Sequence, residues 1–142
     1  VTVEPLRHLD DERARYAYAP GKWTIAEVVG HMGDAERVMS IRALRFARGD
    51  ETPLPGFDEN AYTPAGEFGG RSFASLLDEL VAIRRATISL FANLPDAAWT
   101  RSGRASDAPV SVRALACIIA GHELHHRALF AERYGVALVS AS

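Results

Sequence analysis

Two histidines four residues apart, His122 and His126, have a spacing that metal chemistry can use. They stand in the string Gly121-His122-Glu123-Leu124-His125-His126. At about 100° per residue on a helix, His126 lies about 40° from His122, and Leu115, Ile118, Ile119 and Leu129 all fall within about 60° of it. Both rings therefore sit in the middle of an apolar stripe, the face that turns inward. His125 lies about 60° away, at the edge of that stripe. A buried imidazole has two ring nitrogens to satisfy, and an aliphatic face offers no partner. Either the pair finds ordinary hydrogen bonds in a core, or it shares one divalent ion, as i, i+4 spacing allows. Two such rings in mid-stripe favour the ion.

The same string reads H-E-x-x-H, the metalloprotease pattern in which the Glu is the general base. That chemistry needs a third protein ligand, usually well downstream. Only 16 residues (142 − 126) follow His126, with no His and a single carboxylate, Glu132. No strand-rich segment is present to hold an extended peptide, so the protease reading is set aside. Glu123 remains the candidate base beside a metal-bound water, against the plainer reading of a solvated carboxylate pairing with Arg127 at i+4.

A third ligand has two candidates. His8 lies in a charged stretch and reads as exposed. His31 lies about 60° from Val28 and Phe46, about 40° from Ala35 and about 80° from Met39 on its helix, so it borders the apolar face. That is the place of a ligand at the rim of an interhelical groove, or of an exposed histidine at a helix edge. Asp34, three residues on, is positioned either to hold an imidazole N–H or to sit at the surface.

The elements that must carry these residues are helices. Thr24-Ile25-Ala26-Glu27 is a capping box, and the recurrence of Val28, Met32, Ala35, Met39, Ala43 and Phe46 predicts a helix over 25–48. Ser72 caps a helix over 73–93, and Ser111 caps another over 112–134 that Gly135 ends. Residues 1–16 hold a short helix at best. Residues 50–71, with three Pro and four Gly, read as a long irregular connection, a kind of segment that is often functional. Residues 100–109 read as a polar loop. No period-2 strand longer than a few residues is visible, so the fold class is all-α.

Composition bounds the rest. The chain has 142 residues, 16 basic and 18 acidic side chains, a net charge of −2 and 48% hydrophobic residues. This is one domain spanning 1–142. It has no basic stripe for nucleic acid and no apolar run near the roughly 20 residues that span a bilayer. The one Cys, Cys117, excludes an internal disulfide framework. It lies about 140° from His122 on the helix and reads as a buried structural thiol rather than a ligand. Arg37, Arg42, Arg45 and Arg48 form either a solvated face or a surface for an anion. The chain opens on Val1 rather than Met, and an upstream segment is compatible with that start.

The strings Gly21-Lys22-Trp23-Thr24-Ile25, Gly30-His31-Met32-Gly33-Asp34-Ala35-Glu36-Arg37 and Gly121-His122-Glu123-Leu124-His125-His126 together resemble the signatures of the DinB-like superfamily. Arg42-Ala43-Leu44-Arg45-Phe46-Ala47-Arg48-Gly49-Asp50, Leu54-Pro55-Gly56-Phe57-Asp58 and Val110-Ser111-Val112-Arg113-Ala114-Leu115 are similar to a subgroup of it. The match covers roughly residues 7–134. The resemblance implies an up-down-down-up four-helix bundle and a divalent metal, nickel or zinc, held by His31, His122 and His126. It implies no assured role for His125. Members of this superfamily resemble thiol-dependent S-transferases that use bacillithiol, mycothiol or glutathione, or metal-dependent hydrolases of small molecules. A cytoplasmic location is the accompanying expectation. A family member carries a long first helix, whereas at most 16 residues precede the turn at Tyr16–Gly21 here. The first helix is therefore short or incomplete, or its wall comes from a partner subunit, and a homodimer is expected. The alternative is a non-enzymatic metal-binding stress-response module whose surface serves dimerisation.

Overall fold

Side-chain caps set the three long helices at the expected places. Thr24 Oγ1 accepts the Glu27 N–H at 3.2 Å, and the Glu27 carboxylate accepts the Thr24 N–H at 2.7 Å. Ser72 and Ser111 each accept one N–H from the first turn that follows. The computed structural model describes residues 2–137. Its helices are α1 (Val3–Leu6), α2 (Asp11–Ala14), α3 (Ile25–Ala47), α4 (Glu59–Ala65), α5 (Phe73–Ala92) and α6 (Val112–Glu132). The first 16 residues thus give two single turns, as their weak apolar pattern implied.

Two cores show how the helices run. Ile25, Val28, Val29 and Met32 of α3 pack with Phe73, Leu76, Leu77 and Leu80 of α5, Phe130 of α6, and Val3 and Leu6 of α1. Ala43, Phe46 and Ala47 of α3 pack with Val112 and Leu115 of α6, flanked by Leu90 and Phe91 of α5. The beginnings of α3 and α5 therefore lie at one end of the bundle, together with the end of α6. So α3 and α5 run parallel and α6 returns antiparallel, the up-down-down-up order, with α1 as a one-turn first helix. Burial of these side chains against one another is the main stabilising term.

Parallel neighbours need a connection that travels the length of the bundle, and residues 48–72 make it. They are less irregular than their Pro and Gly content suggested. Asp58 caps α4 by accepting the Asn60 N–H at 3.0 Å, and a 3₁₀ turn follows at Phe68–Gly70. Phe68 fixes this segment to the bundle: its ring lies directly over Gly30 of α3 and against Gly66. A methyl at Gly30 would overlap the ring. Gly30→Ala is expected to lower stability by about 1–3 kcal/mol, as overpacking does, read as a lower urea midpoint at unchanged m-value.

Residues 100–109 are not a plain loop. A hairpin, β1 (Ser102–Ala105) paired antiparallel with β2 (Ala108–Ser111), fills most of them. Its two turn residues, Ser106 and Asp107, have φ of 52° and 62°, the left-handed conformation that two-residue hairpins require. Ser-Asp is a weaker signal for that turn than Asn-Gly, and four-residue strands show little alternation, so the pattern passed as a polar loop. Gly103 lets the hairpin lie flat on the Phe46 ring. Leu54 joins its edge, donating to the Arg104 carbonyl at 2.9 Å and accepting from Ser106 N–H at 3.1 Å.

Two further expectations change. Cys117 is exposed, because a residue about 140° from the inward histidine faces outward on a one-sided helix. The arginines of α3 are mostly held by the protein. Arg42 is buried and donates to the Pro55 carbonyl at 2.8 Å and Ser106 Oγ at 3.1 Å. Arg37 pairs with Glu79 at 2.6 Å, and Arg45 with Asp50 at 2.7 Å.

Candidate metal centre

His31 enters the site from the second turn of α3, and His122 and His126 enter from successive turns of α6. Ridge packing of the two antiparallel helices brings the three rings together. His31 Nε2 lies 3.0 Å from His122 Nε2, and His126 Nε2 lies 3.1 Å from the same atom. His31 is fully inside, only 4% exposed, and not at the groove rim where its helical position placed it. The difference comes from Trp23, whose ring packs on His31 at 4.8 Å between centroids and covers its outer side.

Burial sets the charge state. Desolvation lowers the pKa of His122 to about 4 and of His126 to about 3, and it lowers that of His31 as well. Mutual repulsion among the rings adds to this at His122 and His126, whereas the carboxylate of Glu59 partly opposes it at His31. All three are neutral at pH 7, the form that ligates metals. The donor set fits a divalent ion. Tetrahedral bonds of about 2.0–2.1 Å put neighbouring nitrogens about 3.3 Å apart, close to the two separations from His122, and all three donors lie within 4.8 Å of one another. His126 Nδ1 is buried with no partner among the described residues, so none of them fixes the tautomer of that ring.

These values have a consequence for folding. In the unfolded chain the imidazoles titrate near 6.5, whereas in the fold His122 and His126 take up protons only near 4 and 3. The unfolded chain then binds more protons below pH 6.5, so stability falls as pH falls through that window, by up to about 1.4 kcal/mol per pH unit for each ring. Metal-free protein is expected to melt at a clearly lower temperature at pH 5 than at pH 7. A flat profile between those values would contradict the burial of neutral rings.

The carboxylates are arranged differently from the expectation. Asp34 pairs with Arg37 at 3.5 Å and makes no hydrogen bond to an imidazole among the described residues. Glu123 does not pair with Arg127. Its oxygens accept from the Thr2 hydroxyl and from Arg84. Burial acts to raise its pKa, but the bonds from Thr2 and Arg84 outweigh that and hold it below the ordinary range. Arg84 also grips Glu36 with two bonds of 2.8 Å, and those bonds raise the guanidinium pKa further. Glu36, Arg84 and Glu123 thus form a charged layer between the two cores.

The carboxylate that faces the triad is Glu59, at the start of α4, with Oε2 at 3.8 Å from His31 Nε2. Sequence reading missed three of these residues. Glu36 lies about 20° from Ala43 on the wheel of α3, and Arg84 about 20° from Leu77 on that of α5. Opposite charges in the centre of two apolar stripes were a signal that they pair. Glu59 carried no such signal, since it stands in a connection without periodicity.

Two spaces meet at the triad. A partly open cavity of about 120 Å³ lies between α3 and α6 and ends on His122. An open groove of about 430 Å³, bordered by Lys22, Trp23, Asn60 and His125, reaches all three histidines from outside. His122 and Glu59 border both.

A helical bundle with three converging imidazoles between its first and last long helices defines a class. The sequence model of the DinB superfamily matches residues 1–130. The chain belongs to the DinB superfamily. It is 29% identical over 129 residues to OB0413 of Oceanobacillus iheyensis, provisionally named a metal-dependent hydrolase, covering 88% of this chain and 72% of that protein. YfiT from Bacillus subtilis, described as a "probable metal-dependent hydrolase with an unusual four-helix bundle topology", superposes with a TM-score of 0.77 at 20% identity. That match covers 96% of this chain and 81% of YfiT, and it is a likeness of fold. Among the described residues, no helix is long and apolar enough to cross a membrane.

Proposed function

We propose that His31, His122 and His126 hold one divalent ion through their Nε2 atoms, and that the protein is a metal-dependent transferase or hydrolase acting on a small molecule. The observation that carries this reading is the convergence of three neutral Nε2 atoms, those of buried His31 and His126 and of half-buried His122, with separations of 3.0 and 3.1 Å, at the inner end of an open groove. Three protein donors leave a coordination position free, as catalytic sites do and closed structural sites do not. Nickel or zinc suits an all-imidazole set. The ion would supply Lewis acidity to a carbonyl and a lowered pKa to a bound water or thiol.

The protein's own groups would do the rest. Trp23 holds His31 in place and shields it from water. Glu59 is the carboxylate free to take a proton from a nucleophile entering by the groove. Glu123 is a weaker candidate for that role, because Thr2 and Arg84 already occupy its oxygens. The reaction follows from whichever nucleophile enters, water for a hydrolase or a low-molecular-weight thiol for an S-transferase. The test is a screen of the metal-loaded protein for thiol consumption with bacillithiol, mycothiol and glutathione against electrophiles, and for ester and amide hydrolysis without thiol. Activity that appears only with metal, and falls at least tenfold in Glu59→Gln, is the expected result. Full metal loading with neither reaction would favour a binding module.

A further inference from the structure

We infer that the partly open cavity between α3 and α6 is the pocket for the substrate's apolar group, so that the substrate carries a compact, uncharged alkyl or aryl group beside its reacting bond. This rests on the metal reading above and adds to it the chemical class of what is bound. The cavity is about 120 Å³ and ends on the ring of His122, so a group filling it has its next atoms at the triad. Its apolar walls include Met32, Ala35, Met39, Phe57 and Ile119. The size is near that of a cavity that accepts a six-carbon ring, about 150 Å³.

The charged residues on its wall do not make it a pocket for ions. Arg84 is already engaged by Glu36 through two bonds of 2.8 Å and by Glu123, so it has little left for an incoming anion. Three carboxylates, Glu36, Glu59 and Glu123, against one guanidinium also leave the wall net negative, which repels a further carboxylate on the substrate. A neutral apolar group meets neither difficulty. The polar remainder of the substrate then lies in the groove on the other side of His122, where Lys22, Asn60 and His125 offer hydrogen bonds.

Straight-chain hydroxamates test this, since the head chelates the ion and the tail probes the cavity. With metal-loaded protein, affinity is expected to rise about threefold to fourfold per methylene from acetohydroxamate upward, and to level off at about five or six carbons, where a space of this size is full. Filling the space in Ala35→Leu is expected to flatten the series. Hexanohydroxamate is expected to bind at least tenfold more tightly than the monohydroxamate of adipic acid, which ends in a carboxylate. Equal affinities along the series, or a preference for the carboxylate, would overturn the pocket and leave the metal site standing. Benzene keeps the inference testable if no ion binds: it is expected to shift the NMR signals of Ile119 and His122 in metal-free protein, and no shift at saturating benzene would overturn the pocket.

Discussion

His122→Ala is expected to leave a folded protein that holds no ion after dialysis, where the wild type holds one per chain. His122 Nε2 is the atom against which both other donors lie, at 3.0 and 3.1 Å. Its removal leaves two donors and an enlarged gap. Affinity is expected to fall more than the 10- to 100-fold typical of losing a group that only supports a ligand. Fold stability without metal should change little, because the substitution relieves three crowded neutral rings while costing some packing. With metal at 100 times its dissociation constant the wild type gains about 2.7 kcal/mol, and the variant gains none. Metal analysis and melting curves with and without added nickel or zinc read both effects. His125→Ala serves as the control and is expected to keep the ion. Stoichiometric metal surviving in His122→Ala would sink the assignment.

Arg84→Ala is expected to be the most destabilising single change in the bundle. Glu36 is 4% exposed, and Arg84 is its only hydrogen-bond partner among the described residues. Removing one partner of a buried pair leaves an uncompensated charge, at a cost of about 3–5 kcal/mol. Here the second carboxylate, Glu123, would then face the first without a cation between them. A domain of ordinary stability would lose much of its margin. Urea unfolding of Arg84→Ala beside the double variant Glu36→Leu/Arg84→Leu measures the effect. The double variant is expected to recover most of the loss, because paired apolar side chains in such a layer are often as stable as the ions they replace. A single-variant cost under 1 kcal/mol would show that water reaches Glu36.

The sequence carried the long helices and their caps almost to the residue. Thr24, Ser72 and Ser111 are local signals, and a cap is decided by the few residues around it. It also carried the candidate triad, since His122 and His126 share one stripe and His31 borders another. What it carried poorly depended on contacts between elements. The hairpin at 102–111 exists because Gly103 and Leu54 dock it onto Phe46 and the connection, and its turn uses Ser-Asp. The burial of His31 depends on Trp23, eight residues earlier. Glu59 reaches the triad only because Phe68, nine residues away in the same connection, is seated on Gly30. The pairing of Glu36 with Arg84 was partly legible, as two charges misplaced on apolar stripes, but the partner could be named only once α3 and α5 were known to run parallel.

That parallel arrangement has an effect on how such a protein can change. The segment joining α3 to α5 must run about 30 Å along the bundle, and on the way it lays Phe57 against the cavity and Glu59 beside the histidines. The three histidines stand on helices, whereas Phe57, Glu59 and Asn60 are the parts of the two spaces that the connection supplies. Lengthening a loop twofold costs only about 0.6 kcal/mol in closure entropy. Insertion and replacement within residues 48–72 can therefore change the Phe57, Glu59 and Asn60 part of these walls while the helices and the histidine geometry stay fixed.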